Sequence, residues 1–172
     1  MSKKLDRATF LRRLLDEPKL ISGSLAATVQ NNDCRVLRLG FFTGSVAAHL
    51  LTGQPARPAL LAVAGFAYGW LLQLGVKDVP AGILAERDRQ ADLFRKGWIG
   101  FDVSSPVPDA SRKFRVLLEE AGEAAEAVDK VECAEAGANA SIRRDYLGTE
   151  LIQVAAVAVA WLESIEPRED KS

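Results

Sequence analysis

The sequence predicts an all-α protein, a helical bundle, and three observations carry that prediction. Apolar residues recur at three- and four-residue spacing along most of the chain. Glycine and proline interrupt the pattern at intervals suited to helices. No run of alternating apolar and polar residues competes as a strand. At 172 residues the chain makes one ordinary domain or two small halves, with ample length for a core.

The elements follow in order. Asp6 to Leu15 reads as a short amphipathic helix ending before Pro18. The stretch from Ile21 to Asn31 fits no single class. Asn31-Asn32-Asp33 can cap a helix from Cys34 to Leu51, closed by Gly53. Pro58 suits the first turn of the next helix, which stops near Gly75. Asp78-Val79-Pro80 opens a helix to Lys96, stopped by Gly97. The segment from Trp98 to Val107 is the clearest loop, and it divides the chain into halves, 1–97 and 98–172, that pack as one domain. Pro108 and Asp109 start a long helix to about Cys133. The last helix runs from near Ser141 to about Ile165, before Pro167, and the tail from Arg168 frays.

Composition removes several function classes. A formal net charge of −1 gives no electrostatic case for nucleic acid or an anionic membrane as partner. Cys34 and Cys133 have neither CxxC spacing nor the density of a disulfide scaffold. They fit buried free thiols in a reducing compartment, with one bridge between them as the alternative. The lone His49 lies in an apolar helical run and fits a packed or capping imidazole better than a ligand or base. The polar start, Met1 to Arg7, is no signal peptide, and the expected location is cytoplasmic. Ala59 to Val76 does ask a membrane question: it is nearly all apolar, lies between Arg57 and Lys77, and contains Gly65-x-x-x-Gly69. The same small residues also allow close packing of buried helices in water.

An internal repeat favours the soluble reading. Arg35-Val36-Leu37 has a counterpart in Arg115-Val116-Leu117, at an offset of 80 residues. Leu60, Val63 and Trp70 recur as Leu151, Val154 and Trp161, at an offset of 91. The difference falls in a longer connection around Gly137-Ala138-Asn139. This reads as a duplicated helical hairpin forming a pseudo-symmetric bundle. At those offsets Glu119, Glu120, Glu123 and Glu126 correspond to Leu39, Gly40, Thr43 and Val46, so the first copy has lost the acidic residues. Glu150 and Gln153 correspond to Ala59 and Ala62. The apolar run at 59–76 becomes the counterpart of 151–162 across an internal interface.

Those acidic residues carry the chemistry. In a helix Glu119 and Glu123 lie one turn apart, with Glu120 on the flank of the same stripe, and no cation interrupts Leu118 to Val128. Downstream, Glu150 and Gln153 open a strongly apolar helix that stays so until Glu163. A solvated acidic face is the plain reading of such a run. A polar pair at the edge of a core needs a partner, however, and crowded carboxylates suit a hard divalent cation such as Mg²⁺. That points to a metal site built from two helices.

Glu119-Glu120-x-x-Glu123 followed by Glu150-x-x-Gln153 resembles the all-α MazG-like nucleotide pyrophosphohydrolases, whose pattern is EExxE on one helix and ExxD on the next. The resemblance runs from about Glu86 to Glu166, roughly half the chain. It implies Mg²⁺-dependent hydrolysis of a nucleoside or deoxynucleoside triphosphate to monophosphate and pyrophosphate, with Mn²⁺ as a substitute ion. It implies Glu119, Glu120, Glu123 and Glu150 as catalytic residues and metal ligands, with Gln153 as a weakened fifth ligand in place of the family's aspartate. Glu126 is a candidate to support them. The internal pseudo-dimer would mimic the dimers such proteins form, with a homo-dimer of the whole chain as a further step. Cations for the phosphates are sought among Arg95 and Lys96, Arg112 and Lys113, and Arg143 and Arg144. Of these Lys96, Lys113 and Arg144 are the substrate-binding candidates, together with Trp98 as a stacking residue and Gln90 near it. Each also has a reading as solvated surface, and Trp98 as a loop residue folded onto the core. Two alternatives stand beside the enzyme: a noncatalytic descendant that binds nucleotide or protein, and a membrane-associated helical protein.

Overall fold

The structure, a computed structural model, describes residues 6–17, 32–106, 109–132 and 139–165. The expectations for 21–31, for Pro108, for Cys133 and for the tail lie largely outside those residues. Among the described residues there are six helices and no strand: α1 Arg7–Leu15, α2 Asn32–Leu51, α3 Arg57–Gln73, α4 Val79–Arg95, α5 Ala110–Glu132 and α6 Asn139–Ile165. The all-α bundle expected from periodicity is the fold observed.

Helix boundaries follow from local chemistry. Asp6 caps α1, accepting from the Thr9 N–H at 3.0 Å, and Asp78 caps α4 by accepting from the Ala81 N–H at 3.0 Å. Pro58 and Pro80 occupy the first turns of α3 and α4. Gly53, Gly75 and Gly97 all adopt left-handed φ values, between 67° and 83°. At each, the glycine N–H and the next N–H turn back onto the carbonyls of the last helical turn; after α4 these are Gly97 to Phe94 at 2.9 Å and Trp98 to Leu93 at 3.0 Å. His49, near the end of α2, ties the helix to the connection that follows: its Nδ1 lies 2.7 Å from the Pro55 carbonyl.

Four helices form the bundle. α3 packs on α6, α5 on α6, α2 on α3, and α2 on α5, while α4 lies against α6. The centre of α6 is buried all round, from Val154 to Leu162, and its alanines let neighbouring backbones approach closely. Each fully buried Val or Leu there stabilises the fold by roughly 1.5–3 kcal/mol. Residues 141–165 are the one described stretch long and apolar enough to cross a membrane, and 72% of its most apolar window is buried inside the bundle. The run at 59–76 forms α3, of 17 residues, with Leu60, Val63, Phe66 and Trp70 fully buried. Phe42, Phe66 and Trp70 make an aromatic ladder with ring centroids 5.4 and 5.9 Å apart.

Burial tests the repeat register. Along α3 and α6 the offset of 91 pairs buried with buried: Leu60 with Leu151, Val63 with Val154, Trp70 with Trp161. Along α2 and α5 the offset of 80 does not, because Leu39, Thr43 and Val46 are buried while Glu119, Glu123 and Glu126 are exposed. The buried stripe of α2 would match Leu117, Ala121 and Ala124 at an offset of 78. Phe41, Phe42 and Ser45 would then stand where Glu119, Glu120 and Glu123 do. Cys34, expected to be buried, is exposed on α2.

Candidate cation site

Two helices bring the acidic residues together. α5 is amphipathic: Leu117, Ala121, Ala124 and Val128 face the core, which turns Glu120 to the edge of the buried stripe and Glu119 and Glu123 outward. α6 presents Glu150 from its buried side, one residue before Leu151. One carboxylate oxygen from each of Glu120, Glu123 and Glu150 lies within 4.8 Å of the others. Glu119 is outside that group and lines an adjoining cavity. Gln153 is half-buried one turn beyond Glu150.

The electrostatics are unfavourable as the site stands. Glu150 is only 4% exposed, and Oε2 of both Glu150 and Glu120 is buried with no hydrogen-bond partner. Burial, with the charges of Glu123, Glu150, Glu86 and Glu119, pushes the Glu120 carboxyl up to about 7. Burial also raises the Glu150 carboxyl, while the nearby Tyr146 hydroxyl acts in the opposite direction. The donor set, all oxygen and anionic with two orphaned buried atoms, fits a hard divalent cation.

Next to the cluster lies a cavity of about 260 Å³, near the lower end of small-ligand pockets. Its walls include Arg89 and Gln90 of α4, residues 99–103 of the loop, and Glu119, Glu120 and Val157. Behind the loop, Asp102 accepts from the Ser104 N–H at 2.9 Å and hydroxyl at 2.8 Å, and lies 3.5 Å from Arg87. Burial works to raise the Asp102 carboxyl, but these partners outweigh it and hold it low.

None of the cations expected for phosphate lines this cavity. Arg95 and Lys96 pair with Asp92 at 3.4 and 2.6 Å. Arg112 stacks over Phe101, and Arg143 donates to the Lys130 carbonyl. Lys113 points inward, donating to Ser164 Oγ at 2.6 Å, and burial lowers its pKa. Arg144 is exposed near the start of α6. Trp98 is not folded onto the core: it is 73% exposed, with the Lys96 ammonium 5.5 Å from its ring centre. Glu126 pairs with Lys130 at 3.0 Å.

Sequence reasoning missed Glu86, Arg89, Tyr146 and Lys130. The Lys130 ammonium lies 5.0 Å from the Tyr146 ring centre. Glu86 and Arg89 are spaced like any surface ion pair. Only the packing of α4 reveals that they face Glu120. Lys113 did carry a signal, since it sits four residues before Leu117 on the buried stripe. Compared with protein-family models, with curated proteins and with solved structures, the chain matches none of them.

Proposed function

We propose that the protein is a Mg²⁺-dependent nucleotide pyrophosphohydrolase, cleaving a nucleoside or deoxynucleoside triphosphate to monophosphate and pyrophosphate. The observation that carries this reading is the convergence of Glu120, Glu123 and Glu150 from two helices, with buried oxygens left without partners. The EExxE and ExxQ pattern on those helices supports it, as does the cavity that shares Glu120 with the cluster. Glu120, Glu123 and Glu150 would hold the ion, with Glu119 and Gln153 as outer contributors. A bound Mg²⁺ would neutralise the carboxylates, engage phosphate oxygens and acidify a water for attack at phosphorus. The chain itself supplies carboxylates fixed on two packed helices and an adjoining cavity that shares Glu120 with them.

The reading includes a duplicated hairpin whose first copy lost the site. At offsets of 78 and 91 Phe42 would correspond to Glu120 and Phe66 to Val157, and the rings of Phe42 and Phe66 pack together. Aromatic packing fills the place that the second copy leaves as a cavity wall.

Gln153 favours a second reading, a noncatalytic nucleotide binder, because it removes one negative charge from the ligand set. One experiment separates the two. Purified protein is incubated with a panel of nucleoside and deoxynucleoside triphosphates, with and without Mg²⁺, and products are resolved by chromatography. Metal-dependent monophosphate and pyrophosphate, lost in Glu123→Ala, is the expected result. Nucleotide retention without turnover selects the binder, and neither retention nor turnover sinks both.

A further inference from the structure

We infer that Arg89 is the anion-binding residue of the cavity, receiving phosphate oxygens of the ligand, and that Glu86 is the positioning residue that holds its guanidinium in place. The inference rests on the reading of the three glutamates as a cation site.

A triphosphate or pyrophosphate carries more negative charge than one divalent cation neutralises, so a protein cation beside the metal would stabilise the bound anion. None of Arg95, Lys96, Arg112, Lys113, Arg143 and Arg144 lines the cavity. Arg89 is the cation in the cavity wall, sharing that wall with Glu119 and Glu120. Its guanidinium also feels the Glu120 charge directly.

Its geometry is fixed in advance. Nε donates to Glu86 Oε2 at 2.6 Å and Nη2 to Glu86 Oε1 at 2.7 Å, a two-pronged bond that sets the plane of the group. Glu86 is itself held: Gln90 Nε2 donates to its Oε1 at 2.9 Å, and Arg87 Nη1 holds the Gln90 carbonyl at 2.8 Å. Arg87 is 1% exposed, so the chain of bonds ends on a buried anchor. Glu86 consumes two of the five guanidinium N–H groups, leaving three for a ligand. The Arg89 side chain is half-exposed and can meet an anion without leaving Glu86. A lysine could not do the same, because its ammonium lacks the fork.

The test uses the full chain and two probes. Mn²⁺ binding is followed first by electron paramagnetic resonance, with no nucleotide present. Inorganic pyrophosphate is then titrated calorimetrically into Mg²⁺-saturated protein. Arg89→Met is expected to keep or tighten Mn²⁺ binding and to weaken pyrophosphate binding at least tenfold. Arg89→Lys is expected to stay several-fold weaker than wild type, and Glu86→Gln to lose part of the pyrophosphate affinity while its melting temperature confirms an intact fold. Wild-type pyrophosphate affinity in Arg89→Met overturns the assignment of Arg89, and full rescue by lysine overturns the positioning role of Glu86. Wild-type protein that binds Mn²⁺ but no pyrophosphate also overturns the inference. Wild-type protein that binds no Mn²⁺ removes the cation-site reading underneath it, a separate and recognisable failure.

Discussion

Glu120 sits where two helices force carboxylates together, and its side chain is buried enough for that crowding to matter. In the unfolded chain it titrates near 4.5, and in the fold at about 7. Between those values the folded state holds a proton that the unfolded state has lost, so stability falls as pH rises through that window and levels off above it. The full cost is on the order of 2–3 kcal/mol. Glu120→Gln should therefore raise the cation-free melting temperature at pH 8 by a few degrees, while weakening Mn²⁺ binding more than tenfold; scanning calorimetry and resonance titration measure the two. An unchanged melting temperature would mean that the charge is not strained. Cation binding should also weaken as pH drops below about 7, with roughly one proton expelled per ion at pH 6 and almost none at pH 8.5. Titrations in buffers of different ionisation enthalpy read that number. The acidic residues were legible in the sequence because their spacing on one helix is local. Which of them converge was not, since the rotation of α5 against α6 turns Glu119 away and brings Glu150 in.

Helices were the most legible part of the fold, and their stops show why. Gly53, Gly75 and Gly97 each end a helix through a left-handed residue, and only glycine adopts that conformation without strain. Gly97→Ala is expected to destabilise the protein by about 1 kcal/mol, and the urea midpoint should fall with no change in slope. It would also loosen the Trp98 N–H bond to Leu93 and with it the start of the cavity loop. The α2 register was not legible to better than two residues. Alanine- and glycine-rich helices align at several offsets, and on the proposed duplication the burial of Leu39, Thr43 and Val46 favours an offset of 78. Likewise, the pairing of Arg89 with Glu86 obeys a local rule, but the side of α4 that meets the acidic helix is set by packing on α6.

Across the whole molecule one buried polar network ties the site to the bundle. Arg87, 1% exposed, reaches Glu163 of α6 at 3.4 Å and Asp102 of the loop at 3.5 Å, and Arg7 of α1 lies 4.0 Å from the same Glu163. Arg87→Met would leave the buried Glu163 without its main partner and Asp102 with its Ser104 bonds alone. It is expected to destabilise the fold by about 3 kcal/mol, read by chemical denaturation, and to loosen the loop that walls the cavity. A loss below half that would show the carboxylates to be well solvated. This network spans residues 7 to 163, a separation at which sequence spacing carries no signal. The proposed function requires a divalent cation between α5 and α6, where Glu120, Glu123 and Glu150 converge. Mn²⁺ titration of the wild-type chain and of Glu150→Gln, followed by electron paramagnetic resonance, tests it most directly. Saturable binding in the wild type, weakened at least tenfold in the variant with the fold intact, is the expected result. No saturable binding, or the same affinity in both chains, would contradict it.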